Sequence, residues 1–291
     1  MFPLVDRAWL EDQIGSKTPV KKAEDESEIR LVDVRWYLDG RRGKDAYAAG
    51  HIPGAVFVDL DTALAGDPKI GPGRHPLPTP EAFEQAMRNA GINDATMVVA
   101  YDDVGGSIAS RLWWLLRYFG HDEVAVLDGG IDIWKKRRGV LSNHPPVFDV
   151  GDFRIKRTRG GKVDRAEVRR ALARGAVVVD ARSGERYRGE VEPIDARAGH
   201  IPGAVSAPWS ENLLDGKFLP VGDLASKYRN LGVTSDREVI AYCGSGITAC
   251  HDLIALELAG FGGAKLYEGG WSDWAAQPNL PVAIGEDPGK L

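Results

Sequence analysis

Ala49-Gly50-His51-Ile52-Pro53-Gly54-Ala55-Val56 recurs letter for letter as Ala198-Gly199-His200-Ile201-Pro202-Gly203-Ala204-Val205. Working outward, Leu31-Val32-Asp33-Val34-Arg35 pairs with Val178-Val179-Asp180-Ala181-Arg182 on the upstream side. Downstream, Val98-Val99-Ala100-Tyr101-Asp102 pairs with Val239-Ile240-Ala241-Tyr242-Cys243. Asp128-Gly129-Gly130 through Trp134 then pairs with Glu268-Gly269-Gly270 through Trp274. Four matches in one order mean that a whole segment was duplicated, with small insertions since. The period, roughly 140 to 150 residues, is a domain and not the short unit of a solenoid.

Within each copy, short Val/Ile-rich runs alternate with amphipathic stretches. Phe83, Ala86, Met87 and Ala90 keep three-and-four spacing, which predicts a helix from Pro80 to Gly91. Ser110 to Gly120, with Trp113, Trp114, Leu116 and Tyr118, predicts another. Val124-Ala125-Val126-Leu127 and Ala264-Lys265-Leu266-Tyr267 read as strands. Apolar strands separated by helices give an α/β fold, a parallel sheet with helices on both faces, built twice in tandem. The His-Ile-Pro-Gly segments read as turns, with His51 and His200 making structural hydrogen bonds. Asn143-His144-Pro145-Pro146 and Arg159-Gly160-Gly161-Lys162 break the pattern. The expected division is therefore a first domain over 1–142, a linker over 143–162 and a second domain over 163–291.

Chemistry in such sheets gathers at the carboxyl ends of the strands. Cys243 falls there, followed by Gly244-Ser245-Gly246-Ile247-Thr248-Ala249-Cys250. A Gly-rich turn leading into a helix surrounds the sulfur with backbone N–H groups, which favour negative charge on it. A buried structural thiol is the competing reading of the turn alone. The duplication separates the two, because Asp102 occupies the matching place in the first copy. Cys250, about two helical turns on, is poorly placed for a disulfide and reads as core filling. No ligand spacing accompanies the cysteines, so neither a metal nor another cofactor is expected. The net charge of −5, without a basic stripe, argues against nucleic acid. No run of about 18 apolar residues predicts a membrane span, and the amino terminus lacks a secretory pattern. The cytoplasm is the expected location.

With these features together, the chain resembles the tandem-domain rhodanese sulfurtransferases from about Leu4 to Val282. The doubled Gly-His-Ile-Pro-Gly, the doubled Gly-Gly…Trp and the run from Cys243 to Thr248 carry the resemblance. It implies a catalytically silent first domain, which fits Asp102, since a carboxylate cannot hold a sulfane sulfur. It also implies a two-step reaction in which Cys243 becomes a persulfide and passes sulfur to a thiol, cyanide or thioredoxin-like acceptor. The amides of the turn would stabilise the anion, and Gly244 and Gly246 would let the backbone curl around the sulfur.

The neutral run after Cys243 resembles the 3-mercaptopyruvate branch of the family, with Ile247 in place of valine before Thr248. The thiosulfate branch, which places basic residues there, is the alternative. A 2-oxo acid donor calls for a carboxylate clamp of arginines. Arg186 matches one clamp arginine of that branch; at the usual second position stands Asp195, with Arg197 two residues on. Arg111 resembles a further substrate-facing arginine. The branch also implies a proton relay, whose matching residues are Ser245, His75 and Asp61.

Two other classes compete. Dual-specificity phosphatases share this fold, but their Cys-x₅-Arg loop needs an arginine where Ala249 stands. A non-catalytic binding module would have no use for Cys243 in an intact glycine cradle.

Overall fold

The computed structural model describes residues 2–14 and 28–291. The chain forms two compact units. The first contains Met1–Ala65, Pro78–Arg159 and Asp215–Lys217; the second contains Gly66–Leu77, Gly160–Leu214 and Phe218–Leu291.

The first unit is built on a five-stranded sheet in the order Leu4–Val5, Val124–Leu127, Met97–Tyr101, Ile29–Asp33, Val56–Phe57. Every pairing in it is parallel. The second repeats the order with Lys162–Val163, Lys265–Tyr267, Val239–Tyr242, Val177–Asp180 and Ala204–Ser206, again parallel throughout. The central strands are buried along their whole length, as strands covered on both faces must be.

In the second unit Val178, Ile240, Tyr242 and Tyr267 pack with Val168, Ala171, Trp271 and Trp274 on one face. The alternate residues Val179, Ala241 and Leu266 are also fully buried, so helices cover the other face too. In the first unit Leu31, Val99, Tyr101 and Leu127 pack with Leu10, Ile131 and Trp134 in the same way.

The helix predicted from Pro80 runs Pro80–Asn89, with proline in the first turn and the Thr79 hydroxyl accepting from Ala82 N at 3.2 Å. The helix predicted from Ser110 runs Ala109–Tyr118. Residues 143–162, expected as a linker, belong to the first unit as far as Arg159. There Phe153 is fully buried, and its N–H donates to Ile92 O at 3.2 Å. Residues Gly66–Leu77, which the repeat gives no reason to separate from the first domain, belong to the second unit.

The duplicated motifs turn out to fasten each sheet within its own unit. Arg35 grips Asp33 (2.6 Å) and Gly50 O (2.8 Å), and Arg182 grips Asp180 (2.6 Å) and Gly199 O (2.6 Å). Ile52 N donates to the Tyr101 hydroxyl, and Ile201 N to the Tyr242 hydroxyl. His51 and His200 stack on Tyr47 and Tyr187 and bond their carbonyl oxygens through Nδ1. Removing one partner of such a buried ion pair costs about 3–5 kcal/mol, which explains why both copies keep them without any part in chemistry.

Candidate active site

Cys243 and the turn that follows it lie in the second unit. Strand Val239–Tyr242 ends one residue before Cys243, and helix Ala249–Leu258 begins after the turn. Between them the backbone reverses tightly and is pinned from behind. Trp271 N donates to Cys243 O (2.8 Å) and Ser272 N to Gly244 O (2.9 Å). Two glycines make this possible. Gly246 takes φ +77°, and a Cβ there would lie 2.4 Å from Glu268 O. Gly270 takes φ +58°, and a Cβ there would lie 2.6 Å from Cys243 O. Cys243 is 2% exposed and is not in a disulfide; neither is Cys250, whose thiol donates to Gly246 O. Ile247 is buried, and Thr248 stands at the cap of the helix.

The segment Gly66–Leu77 is fastened beside this turn. Gly73 has φ +70°, and a Cβ would come within 2.3 Å of Gly269 O. Arg74 N donates to Ser272 Oγ (3.1 Å), and Leu77 N donates to Glu268 Oε2 (3.3 Å), whose other oxygen takes Lys162 (2.8 Å). These bonds present His75, whose Nδ1 lies 2.7 Å from Ser245 Oγ. The expected Ser245–His75 pair is thus brought together. Asp61 belongs to the first unit, in the helical turn Leu60–Leu64, where its Oδ2 accepts from Trp36 Nε1 at 3.0 Å.

The arginines divide. Arg186, on the short helix Gly184–Arg188, donates to Glu192 (2.7 Å) and to Asp195 (3.2 Å). Its guanidinium lies beside Gly244: from a Cβ built on that glycine, Nη1 is 3.6 Å away. Arg197 corrects an expectation. Its guanidinium donates to the carbonyls of Trp274, Ala275, Gln277 and Leu280, at 2.7 to 3.1 Å. These oxygens belong to the end of helix Gly270–Ala275 and the turn after it, where Trp274 O and Gln277 O also take the backbone N–H groups of Gln277 and Leu280, so Arg197 is a helix-end clamp with its guanidinium spent on backbone. Arg111 belongs to the first unit, where it is fully buried and donates through Nε to Leu64 O (3.2 Å). It is not an exposed helix charge.

Sequence reasoning passed over Arg74, although it adjoins His75. Its guanidinium pairs with Asp195, and its Nη2 lies 2.9 Å from the Cβ built on Gly244. The two acids differ. Burial pushes Asp195 up, helped by the Glu192 charge and opposed by Arg74 and Arg186, so its proton affinity ends above the ordinary value. Burial acts on Glu192 in the same sense, but the Arg186 contact and the amides of Ile194 and Asp195 outweigh it and leave it lowered. Among the described residues no group of three or more His, Cys, Asp or Glu is arranged to hold a metal, and no helix is long and apolar enough to cross a membrane.

A cysteine on a glycine turn at the carboxyl end of a buried parallel strand, with an aspartate on the matching turn of a duplicated unit, defines a tandem sulfur-carrying fold. Residues 16–137 and 164–277 each match the rhodanese-like domain. The chain is 43% identical over 268 residues to a probable 3-mercaptopyruvate sulfurtransferase of Pseudomonas aeruginosa, covering 90% of this chain and 94% of that protein. It is 38% identical over 260 residues to a putative thiosulfate sulfurtransferase of Mycobacterium tuberculosis, covering 88% and 91%. The crystal structure of the 3-mercaptopyruvate sulfurtransferase SseA from Escherichia coli superposes with a TM-score of 0.80 at 33% identity, covering 94% of this chain and all of that one. The chain belongs to the rhodanese family of sulfurtransferases.

Proposed function

We propose that this chain is a 3-mercaptopyruvate sulfurtransferase with Cys243 as the sulfur carrier. The observation that supports this donor is the 2.7 Å contact between His75 Nδ1 and Ser245 Oγ, two residues beyond the nucleophile. The Cys243 thiolate attacks the donor sulfur and the donor C–S bond breaks, its electron pair leaving with carbon as the enolate of pyruvate. The donor thiol proton passes through Ser245 and His75 to that carbon, giving pyruvate and a Cys243 persulfide anion. Thiosulfate would release sulfite, a stable anion that needs no proton. A relay therefore has a task only when carbon leaves.

In the second half-reaction a thiolate or cyanide attacks the outer sulfur and the S–S electron pair returns to Cys243. The acceptor is a small thiol, cyanide or a thioredoxin-like protein. Two cysteines outside any disulfide suit a reducing compartment, and we place the reaction in the cytoplasm. Arg186 binds the donor carboxylate, and the turn from Gly244 to Thr248 holds the sulfur anion. No step runs through Arg197, whose guanidinium is taken by backbone carbonyls.

Initial rates with each donor against cyanide test the reading, with the sulfur gained by the protein followed by mass spectrometry. 3-Mercaptopyruvate should be strongly preferred, and His75→Ala should lower its kcat by about 10²-fold with little change for thiosulfate. Preference for thiosulfate, or equal losses with both donors, would overturn it.

A further inference from the structure

Arg186 alone is a poor anion site, because both Glu192 and Asp195 already accept from it. Asp195 carries the wrong charge to bind a carboxylate itself. Its two oxygens are divided instead, Oδ1 to Arg74 and Oδ2 to Arg186. One buried carboxylate thus holds two guanidinium groups side by side that would otherwise repel each other, with Glu192 bracing Arg186 from below. In this arrangement Nη2 of Arg74 and Nη1 of Arg186 make no hydrogen bond among the described residues. Both point at the space over Gly244, 2.9 and 3.6 Å from where its Cβ would be. Only glycine leaves that space open, and it adjoins the sulfur-bearing residue.

We propose that Arg74 is the second donor-binding cation of the site, paired with Arg186 through Asp195, and that the two nitrogens over Gly244 each take one oxygen of the donor's carboxylate. The backbone bond from Arg74 to Ser272 and the positive φ of Gly73 set the guanidinium there. Asp195 acts as the spacer that fixes the separation of the two forks. This assignment rests on Cys243 being the nucleophile, but not on the identity of the sulfur donor.

The test reads anion recognition at the sulfur directly. Cys243 is alkylated in the wild type, Arg74→Gln, Arg74→Lys and Arg186→Gln by iodoacetate, which carries a carboxylate, and by neutral iodoacetamide. Both reactions displace iodide and differ only in the charge of the reagent. Arg74→Gln should lower the iodoacetate-to-iodoacetamide rate ratio by about tenfold, the loss of one charge-assisted contact. The iodoacetamide rate should stay near that of the wild type, and Arg74→Lys should restore part of the ratio. With 3-mercaptopyruvate the same variant should raise KM more than it lowers kcat. An unchanged ratio, or two rates falling in step as a distorted turn would produce, overturns the proposal. If 3-mercaptopyruvate proves not to be the donor, the alkylation ratio still decides the role of Arg74.

Discussion

The two Gly-rich turns of this chain make the same bend around different residues. In the first unit both oxygens of the Asp102 carboxylate are held by backbone N–H groups: Val104 and Gly106 on one, Ile108 and Ala109 on the other, all at 2.8 to 2.9 Å. Burial raises the proton affinity of Asp102, and these four bonds pull against it. Ile131 N holds Asp102 O as Trp271 N holds Cys243 O, and Gly130 takes φ +55° against +58° at Gly270. The turn with the cysteine is one residue shorter, 244–248 between Cys243 and its helix against 103–108 after Asp102. A turn of this kind is therefore a general anion holder. What separates the two is the neighbourhood. Asp103, the residue after Asp102, accepts from the Tyr37 hydroxyl at 2.6 Å, whereas Gly244 leaves space for two guanidinium groups and Ser245 meets His75.

The largest effect comes from exchanging the central residues. Cys243→Asp should abolish sulfur loading, measured as mass gain on incubation with donor, and leave a folded protein with cooperative unfolding. Asp102→Cys should place a thiol on the other turn that gains no sulfur, because that turn lacks the arginine pair and the Ser–His contact. Loading of Asp102→Cys at a rate near that of Cys243 would break the comparison, showing the turn alone to be enough.

A smaller effect separates scaffold from chemistry. Gly130→Ala and Gly270→Ala each force a side chain to a positive φ and into the carbonyl behind the turn, 2.2 Å from Asp102 O and 2.6 Å from Cys243 O. Each should destabilise its unit by about 1–3 kcal/mol in denaturant titrations. Only Gly270→Ala should also slow sulfur transfer under conditions where the protein stays folded. Equal slowing by both would mean that the first turn has a task of its own.

The duplicated, buried-strand pattern made the architecture legible, since apolar runs at matching places leave few ways to build the sheets. Cys243 was legible because a strand, two glycines and a helix start are local features. Arg197 misled because spacing along the chain says nothing of the carbonyls at the end of Gly270–Ala275 that claim its guanidinium. Arg74 went unnoticed for the opposite reason. Its partners Asp195 and Ser272 are distant in sequence, and no periodicity announces that residues 66–77 pack with the second unit. The signal at hand was Gly71-Pro72-Gly73, a rigid run directly before Arg74 and His75.

The smallest effect concerns the helices that follow the turns. Helix Ala109–Tyr118 has no acid in its first turn, whereas Ala249–Leu258 carries Asp252 there, fully buried. A carboxylate at a helix start is ordinarily stabilised. Here burial wins and pushes Asp252 up to about 7, with Asp180 adding to the push and Lys227, Asn212 and Tyr228 opposing it. Lys227 is itself pushed down by burial and donates to Asn212 (2.8 Å), whose amide donates to Asp252 (2.7 Å). Between about pH 4 and 7 the folded chain keeps a proton on Asp252 that the unfolded chain has released. Stability from this group is complete below that window and is lost as pH rises through it. Asp252→Asn keeps an oxygen for the Asn212 amide and removes the titration. The variant's advantage over the wild type should widen by about 1–3 kcal/mol from pH 5 to pH 8, read from denaturant titrations at the two pH values. A gain of the same size at both would show that the substitution relieves packing and not charge, and the two helices would then differ only in how their cores are filled.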